Sequence, residues 1–209
     1  MNRKKAILSE IANSITHGVG FIIVLIGIVI FLLFHKKVTQ VLPLIAVWVY
    51  FFSLLLTYCT STLFHSLSFT KAKKVFSILD HSAIYLLIVG TYTPFLLSSQ
   101  NIVSIIFLIM MWIFAITGIT LKAVFGNKYK KLSLAIYILL GWSIVFVLYT
   151  ITSLLSPLLL LLLLLGGLFY TSGVYFYSKS GKSFYHAVWH MFVLFGSMCH
   201  FLAIYYFIK

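Results

Sequence analysis

The sequence predicts an all-α polytopic membrane protein, with residues 1–209 forming a single domain of seven transmembrane helices. Three observations predict it. The 209 residues are 63% hydrophobic and 8% charged, with mean hydropathy +1.15, whereas soluble domains carry about 25% charged residues. The apolar residues fall into runs of a length that crosses a bilayer, about 20 residues each. Seven such runs consume about 140 residues, which leaves only short loops. A soluble enzyme, a nucleic-acid-binding domain and a disordered chain are thereby excluded.

The elements follow in order. Met1–Lys5 is basic and Ser9–Gly18 is polar and amphipathic, so the first span reads Ile15–Phe34. It ends in His35-Lys36-Lys37 without a small-residue cleavage site, as a retained span does and a signal peptide does not. After the loop Lys36–Gln40 comes Val41–His65, and after the lysine-bearing Ser66–Val75 comes Phe76–Leu97. Ser98–Asn101 leads into Ile102–Leu121, and Lys122–Lys131 into Leu132–Ile151. The sixth span, Pro157–Tyr177, holds the low-complexity run Leu158–Leu165, read as lipid-facing. Ser178–Phe184 then connects to Tyr185–Ile208. No internal repeat is visible. Cys59 and Cys199 lie within spans, form no CxxC motif and read as packing residues.

The net charge of +13 sits between the apolar runs and not along an amphipathic stripe. Arg3, Lys4, Lys5, Lys71, Lys73, Lys74, Lys122, Lys128, Lys130, Lys131, Lys179 and Lys182 fall on the side of the N-terminus; Lys36, Lys37 and Lys209 fall on the other. Basic residues in short loops favour the cytoplasm, so the N-terminus is expected inside, the C-terminus outside, and the chain in the cell membrane. Near anionic headgroups each lysine adds about 1 kcal/mol of attraction. The partners implied are membrane lipids; nucleic acid is not one, and no protein partner is predictable.

Ionisable residues within spans are costly and mark functional sites by default. The chain's only acids are Glu10 and Asp80, and its histidines are His17, His35, His65, His81, His186, His190 and His200. The expected topology puts His65, Asp80, His81, His186 and His190 at one membrane depth. His186 and His190 are i, i+4 and project from one helix face, as do Ser61 and His65. Three imidazoles from two helices with a carboxylate from a third suit tetrahedral Zn²⁺. The bland alternatives are histidines bonded to neighbouring carbonyls, Asp80 paired with Lys73 or Lys74, and Ser61 bonded back to its own helix. His17 either lines the same cavity or caps the helix entrance. His35 reads as solvated and His81 as a supporting or interfacial residue. His200 lies about 15 Å along the helix from His190, too far for one metal.

The runs Ser61-Thr-Leu-Phe-His65, Leu79-Asp80-His81-Ser-Ala-Ile84, Gly90-Thr-Tyr-Thr-Pro94 and Tyr185-His186-Ala-Val-Trp189-His190 resemble the hemolysin III family. That family is the bacterial branch of the progestin and adipoQ receptor (PAQR) family, and Glu10, Asn13, His17-Gly18 and Gly20 fit its opening pattern. The resemblance spans essentially the whole chain. It implies seven helices with a cytoplasmic N-terminus, and a zinc ion held by His65, His186 and His190. It further implies that Asp80 contacts the water on that zinc and that Ser61 lies beside the site. A wider superfamily that includes alkaline ceramidases shares this set. The long N-terminal domain of the animal receptors is absent, which leaves no basis for carrying over hormone reception.

Three functions are therefore expected to compete. In the first, an intramembrane zinc hydrolase cleaves a lipid amide or ester that enters sideways from the bilayer, with Asp80 as base and Ser61 as hydrogen-bond donor to the substrate carbonyl or the developing oxyanion. In the second, the chain is a cytolytic, pore-forming protein, which its lack of a soluble disguise disfavours. In the third, it senses membrane lipid state and the zinc is structural.

Overall fold

The structure is a computed structural model, and it describes residues 2–34, 41–179 and 184–208. His35, Lys36, Lys37, Lys182 and Lys209, assigned above to loops and ends, lie outside the described residues. Within the described residues the chain is helical throughout, with seven helices long and apolar enough to cross a membrane. They are α1 (Arg3–Phe34), α2 (Val41–Ser66), α3 (Lys73–Ser98), α4 (Ile102–Phe125), α5 (Lys130–Trp142, extended by 3₁₀ turns), α6 (Pro157–Ser178) and α7 (Tyr185–Phe207). With the bundle's apolar exterior (Ile22, Ile26, Leu33, Phe52, Ile113 and Phe146 are all exposed), this is a multi-pass integral membrane protein.

The packing order makes α3 the centre. It lies against α2 and α4, and touches α5 and α7, while α1 bridges α2 and α7. Between Tyr85 and Leu96 most of its residues are buried regardless of face, the pattern of a helix surrounded by others. Close approach is purchased by small residues: a Cβ on Gly20 of α1 would fall 2.6 Å from Leu194 Cδ2 and 2.9 Å from the Tyr58 ring. Gly20 thus lets α1 settle between α2 and α7, one turn from His17.

Three elements differ from the sequence reading. α1 begins at Arg3 and not at Ile15, because Ser9–Gly18 continues the helix with its polar residues turned inward. Ser9, Asn13, His17, Gly20, Val24, Gly27 and Phe31 form one buried stripe at helical spacing. Lys122, placed above in a loop, belongs to the last turn of α4 and is buried. The fifth span is α-helical only to Trp142 and continues as 3₁₀ helix over Ser143–Thr150 and Thr152–Leu154. The cause is visible at the junction. The Tyr92 hydroxyl of α3 donates to the Leu140 carbonyl at 2.8 Å and also contacts the Gly141 carbonyl. The Ser143 hydroxyl donates to Leu140 as well, at 2.7 Å. Carbonyls engaged in this way are drawn out of the i→i−4 ladder, and the tighter turn follows. In the leucine run, Leu158, Leu161, Leu164 and Leu165 do face outward, while Leu159 is buried in the core.

Candidate metal centre

Four helices converge near the lysine-bearing end. His65 and Ser61 come from α2, Asp80 from α3, and His186 and His190 from α7, as expected from depth. α1 adds Glu10, Asn13, Thr16 and His17. His65, His186 and His190 each offer one ligand atom, and these atoms lie within 4.8 Å of one another. Their ring centroids are 4.6–5.1 Å apart. The three Nε2 atoms are buried and have no hydrogen-bond partner. Buried imidazole nitrogens without partners are costly, and three of them converging is the donor set a borderline-soft divalent cation takes. The cluster can therefore hold a metal ion. Asp80 is not part of the donor set that closes within 4.8 Å, so the carboxylate stands beside the imidazoles and not among them.

The opposite ring nitrogens of His65 and His190 are held. His65 Nδ1 lies 2.6 Å from Glu10 Oε2, an N–H donated to a carboxylate. His190 Nδ1 lies 2.9 Å from the Thr16 hydroxyl and 3.1 Å from the Asn13 carbonyl. With Nδ1–H donated outward, Nε2 is left as the acceptor, the tautomer that metal ligation requires. Glu10 was counted in the sequence as one of two acids but given no role. The signal was present: Glu10, Asn13 and His17 sit at i, i+3, i+7 on one helix face.

His17 does line the cluster and does not cap the helix. It is 2% exposed, its ring stacks on His190 at 3.6 Å, and its Nδ1 lies 2.6 Å from Ser61 Oγ. Ser61 is thus held by another helix. Asp80 is buried, with Oδ2 3.7 Å from His81 Nδ1. Among the described residues no lysine comes within 4.0 Å of it, so the pairing with Lys73 or Lys74 is not formed. His81 supports the site from behind: its Nδ1 donates to the Ser77 carbonyl at 2.7 Å and its Nε2 lies 3.3 Å from the Tyr177 hydroxyl. His200 stays apart, bonded through Nε2 to the Leu163 carbonyl at 3.2 Å. Cys59 and Cys199 are free and half-buried.

A cavity of about 140 Å³ lies between α3, α5, α6 and α7, with His17 and Asp80 in its wall. Its wall is mostly apolar, including Ile84, Leu87, Ile88, Leu134, Ile138 and Val193.

Fold and site together define an integral membrane protein with a buried three-histidine centre near one end of a seven-helix bundle. The family model described as "Haemolysin-III related" matches residues 5–201. The hemolysin-3 homolog of Bacillus subtilis (strain 168) is 37% identical over 199 residues, 95% of this chain and 93% of that protein. Hemolysin-3 of Bacillus cereus is 40% identical over 200 residues, 95% of this chain and 91% of its own. The monocyte to macrophage differentiation factor of Homo sapiens is 30% identical over 200 residues, covering 92% of this chain and 82% of its own. The chain belongs to the hemolysin III family, within the wider progestin and adipoQ receptor family.

Proposed function

We propose that the protein is a zinc-dependent hydrolase acting on a lipid amide or ester, with the centre facing the cytoplasmic side. The observation that carries this reading is the convergence of three unpartnered Nε2 atoms beside His17, which stacks on His190 and with Asp80 lines an apolar cavity. His65, His186 and His190 would hold the ion, and Glu10 and the Asn13 carbonyl fix the first and third of these rings. Zinc in such a site supplies a Lewis acid that polarises a carbonyl and makes water nucleophilic near neutral pH.

The chain's own residues do the rest. Asp80, in the cavity wall, accepts the proton released by the attacking water. His17 in its Nδ1–H tautomer donates to Ser61 Oγ, and the Ser61 hydroxyl, whose hydrogen is held by the Asp80 carboxylate, turns that hydrogen to the oxyanion that develops on the substrate carbonyl. The acyl chain lies along Ile84, Leu87 and Ile88, where water is excluded. Incubating detergent-purified protein with a panel of lipid amides and esters, wild type against Asp80→Asn, tests the reading. Zinc retained by the variant and release of fatty acid only by the wild type is expected. Full turnover by Asp80→Asn with zinc bound refutes the base assignment.

The name carried by the Bacillus cereus relative, hemolysin-3, supports a second reading as a cytolytic protein. Dye release from liposomes by the purified chain, insensitive to loss of the three histidines, would favour it over hydrolysis. A purely structural metal in a lipid sensor is separated from both by a lipid-response phenotype that survives the Ser61→Ala, Asp80→Asn double substitution.

A further inference from the structure

Lys122 stands apart from the other basic residues at this end of the bundle. Lys73, Lys74, Lys128, Lys130 and Lys131 are exposed. Lys122 is 4% exposed, and its Nζ is buried without a hydrogen-bond partner. It projects from the last turn of α4 beside α3, where Asp80, His81 and Lys130 are its electrostatic neighbours. An ammonium removed from water and left unpaired is among the most expensive arrangements a protein can hold. The dipole at the C-terminus of α4 favours a cation there, yet Nζ bonds none of the terminal carbonyls.

Among the described residues, the chain places no acid within ion-pair distance of Lys122. It has two acids. Glu10 is bonded to His65 at 2.6 Å, and Asp80 faces His81 at 3.7 Å. The remaining polar groups nearby are suited to an anion. Buried Ser77 accepts from Asn127 Nδ2 at 2.8 Å, so its own hydroxyl hydrogen is left to donate. The Asn127 amide uses one of its two N–H hydrogens on Ser77, which leaves the second to donate. Lys130 adds a second positive charge at the rim.

We infer that Lys122, with Ser77 and Asn127, binds a phosphate group, and that the lipid brought to the metal centre is a phospholipid and not a neutral lipid. The phosphate then sits at the lysine-bearing end, the acyl chain runs down the apolar cavity, and the linkage between them passes Asp80. Its role as substrate rests on the hydrolase reading; the binding of phosphate does not.

The test is native mass spectrometry of the detergent-purified full chain with phosphatidylglycerol and with diacylglycerol of the same acyl chains, run without any turnover. Wild type is expected to favour phosphatidylglycerol by at least about tenfold, the worth of one charge-assisted hydrogen bond. Lys122→Met is expected to lose that preference, while Lys122→Arg and the exposed control Lys131→Gln keep it. Thermal melting of each variant with and without the lipid checks folding, and the lipid-dependent rise in Tm should vanish only in Lys122→Met. Inorganic phosphate separates the sources. If it stabilises wild type but not Lys122→Met, and phosphatidylglycerol shows no preference, the anion is free phosphate and the phospholipid assignment is overturned. Equal binding of both lipids by wild type and Lys122→Met, with no response to phosphate, overturns the anion site itself. A zinc-loaded protein that shows the Lys122-dependent preference but cleaves no lipid refutes the hydrolase reading and leaves the site standing.

Discussion

Replacing Glu10 by glutamine leaves the shape of α1 unchanged and removes one negative charge from the back of His65. The bond it weakens is short, 2.6 Å from Nδ1 to Oε2, and a hydrogen bond to a charged group contributes about 2 kcal/mol. Glu10 is 25% exposed while His65 is 4% exposed, so solvent competes for the carboxylate from one side only. The amide of glutamine still accepts, which retains part of the interaction. Loss of a carboxylate behind a metal-bound histidine costs about 10- to 100-fold in affinity, and Glu10→Gln should fall near the tenfold end, with Glu10→Ala nearer the other. The assay is competition for Zn²⁺ with a chromophoric chelator on detergent-purified protein. Ser14→Ala serves as the control, since the Ser14 hydroxyl bonds Ser66 at 2.6 Å and the Thr62 carbonyl, and none of the three histidines. Zinc affinity of Glu10→Gln and Glu10→Ala within twofold of wild type would refute the claim that α1 builds the metal site.

Other expectations follow from the same geometry. Ser61→Ala should keep its zinc but lower lipid turnover by about 10²-fold, the usual cost of an oxyanion donor; unchanged kcat would remove Ser61 from the chemistry. Gly20→Val places methyl groups where Leu194 and Tyr58 already sit, and should destabilise by about 1–3 kcal/mol, read as a lower Tm together with weaker zinc binding. Tyr92→Phe frees the Leu140 and Gly141 carbonyls and should cost about 1 kcal/mol in thermal stability while leaving zinc affinity unchanged, because the 3₁₀ segment is remote from the histidines.

The helices were legible in the sequence because a bilayer demands apolar runs of one length and lysines mark their ends. What could not be read are features that depend on a neighbour. The 3₁₀ segment after Trp142 follows from a tyrosine fifty residues earlier in α3, and no local pattern in Ser143–Thr150 announces it. The start of α1 was missed because hydropathy was the ruler. There the buried face is polar, and the spacing of Ser9, Asn13 and His17 was the better guide. In the site, depth alone brought His65, Asp80, His186 and His190 together. Glu10, Thr16 and His17 joined only once Gly20 allowed α1 to pack between α2 and α7. Lys122 shows the converse: counted as one more loop lysine, it is buried because α4 runs a full turn further than its apolar run.

The most direct test of the account is metal content. Elemental mass spectrometry on detergent-purified wild type should find about one zinc per chain, as a three-histidine site with an open position holds, and His190→Ala should lose it. Wild type that carries no metal after purification without chelators, or His190→Ala that carries as much as wild type, would contradict the metal centre and the hydrolase reading built on it.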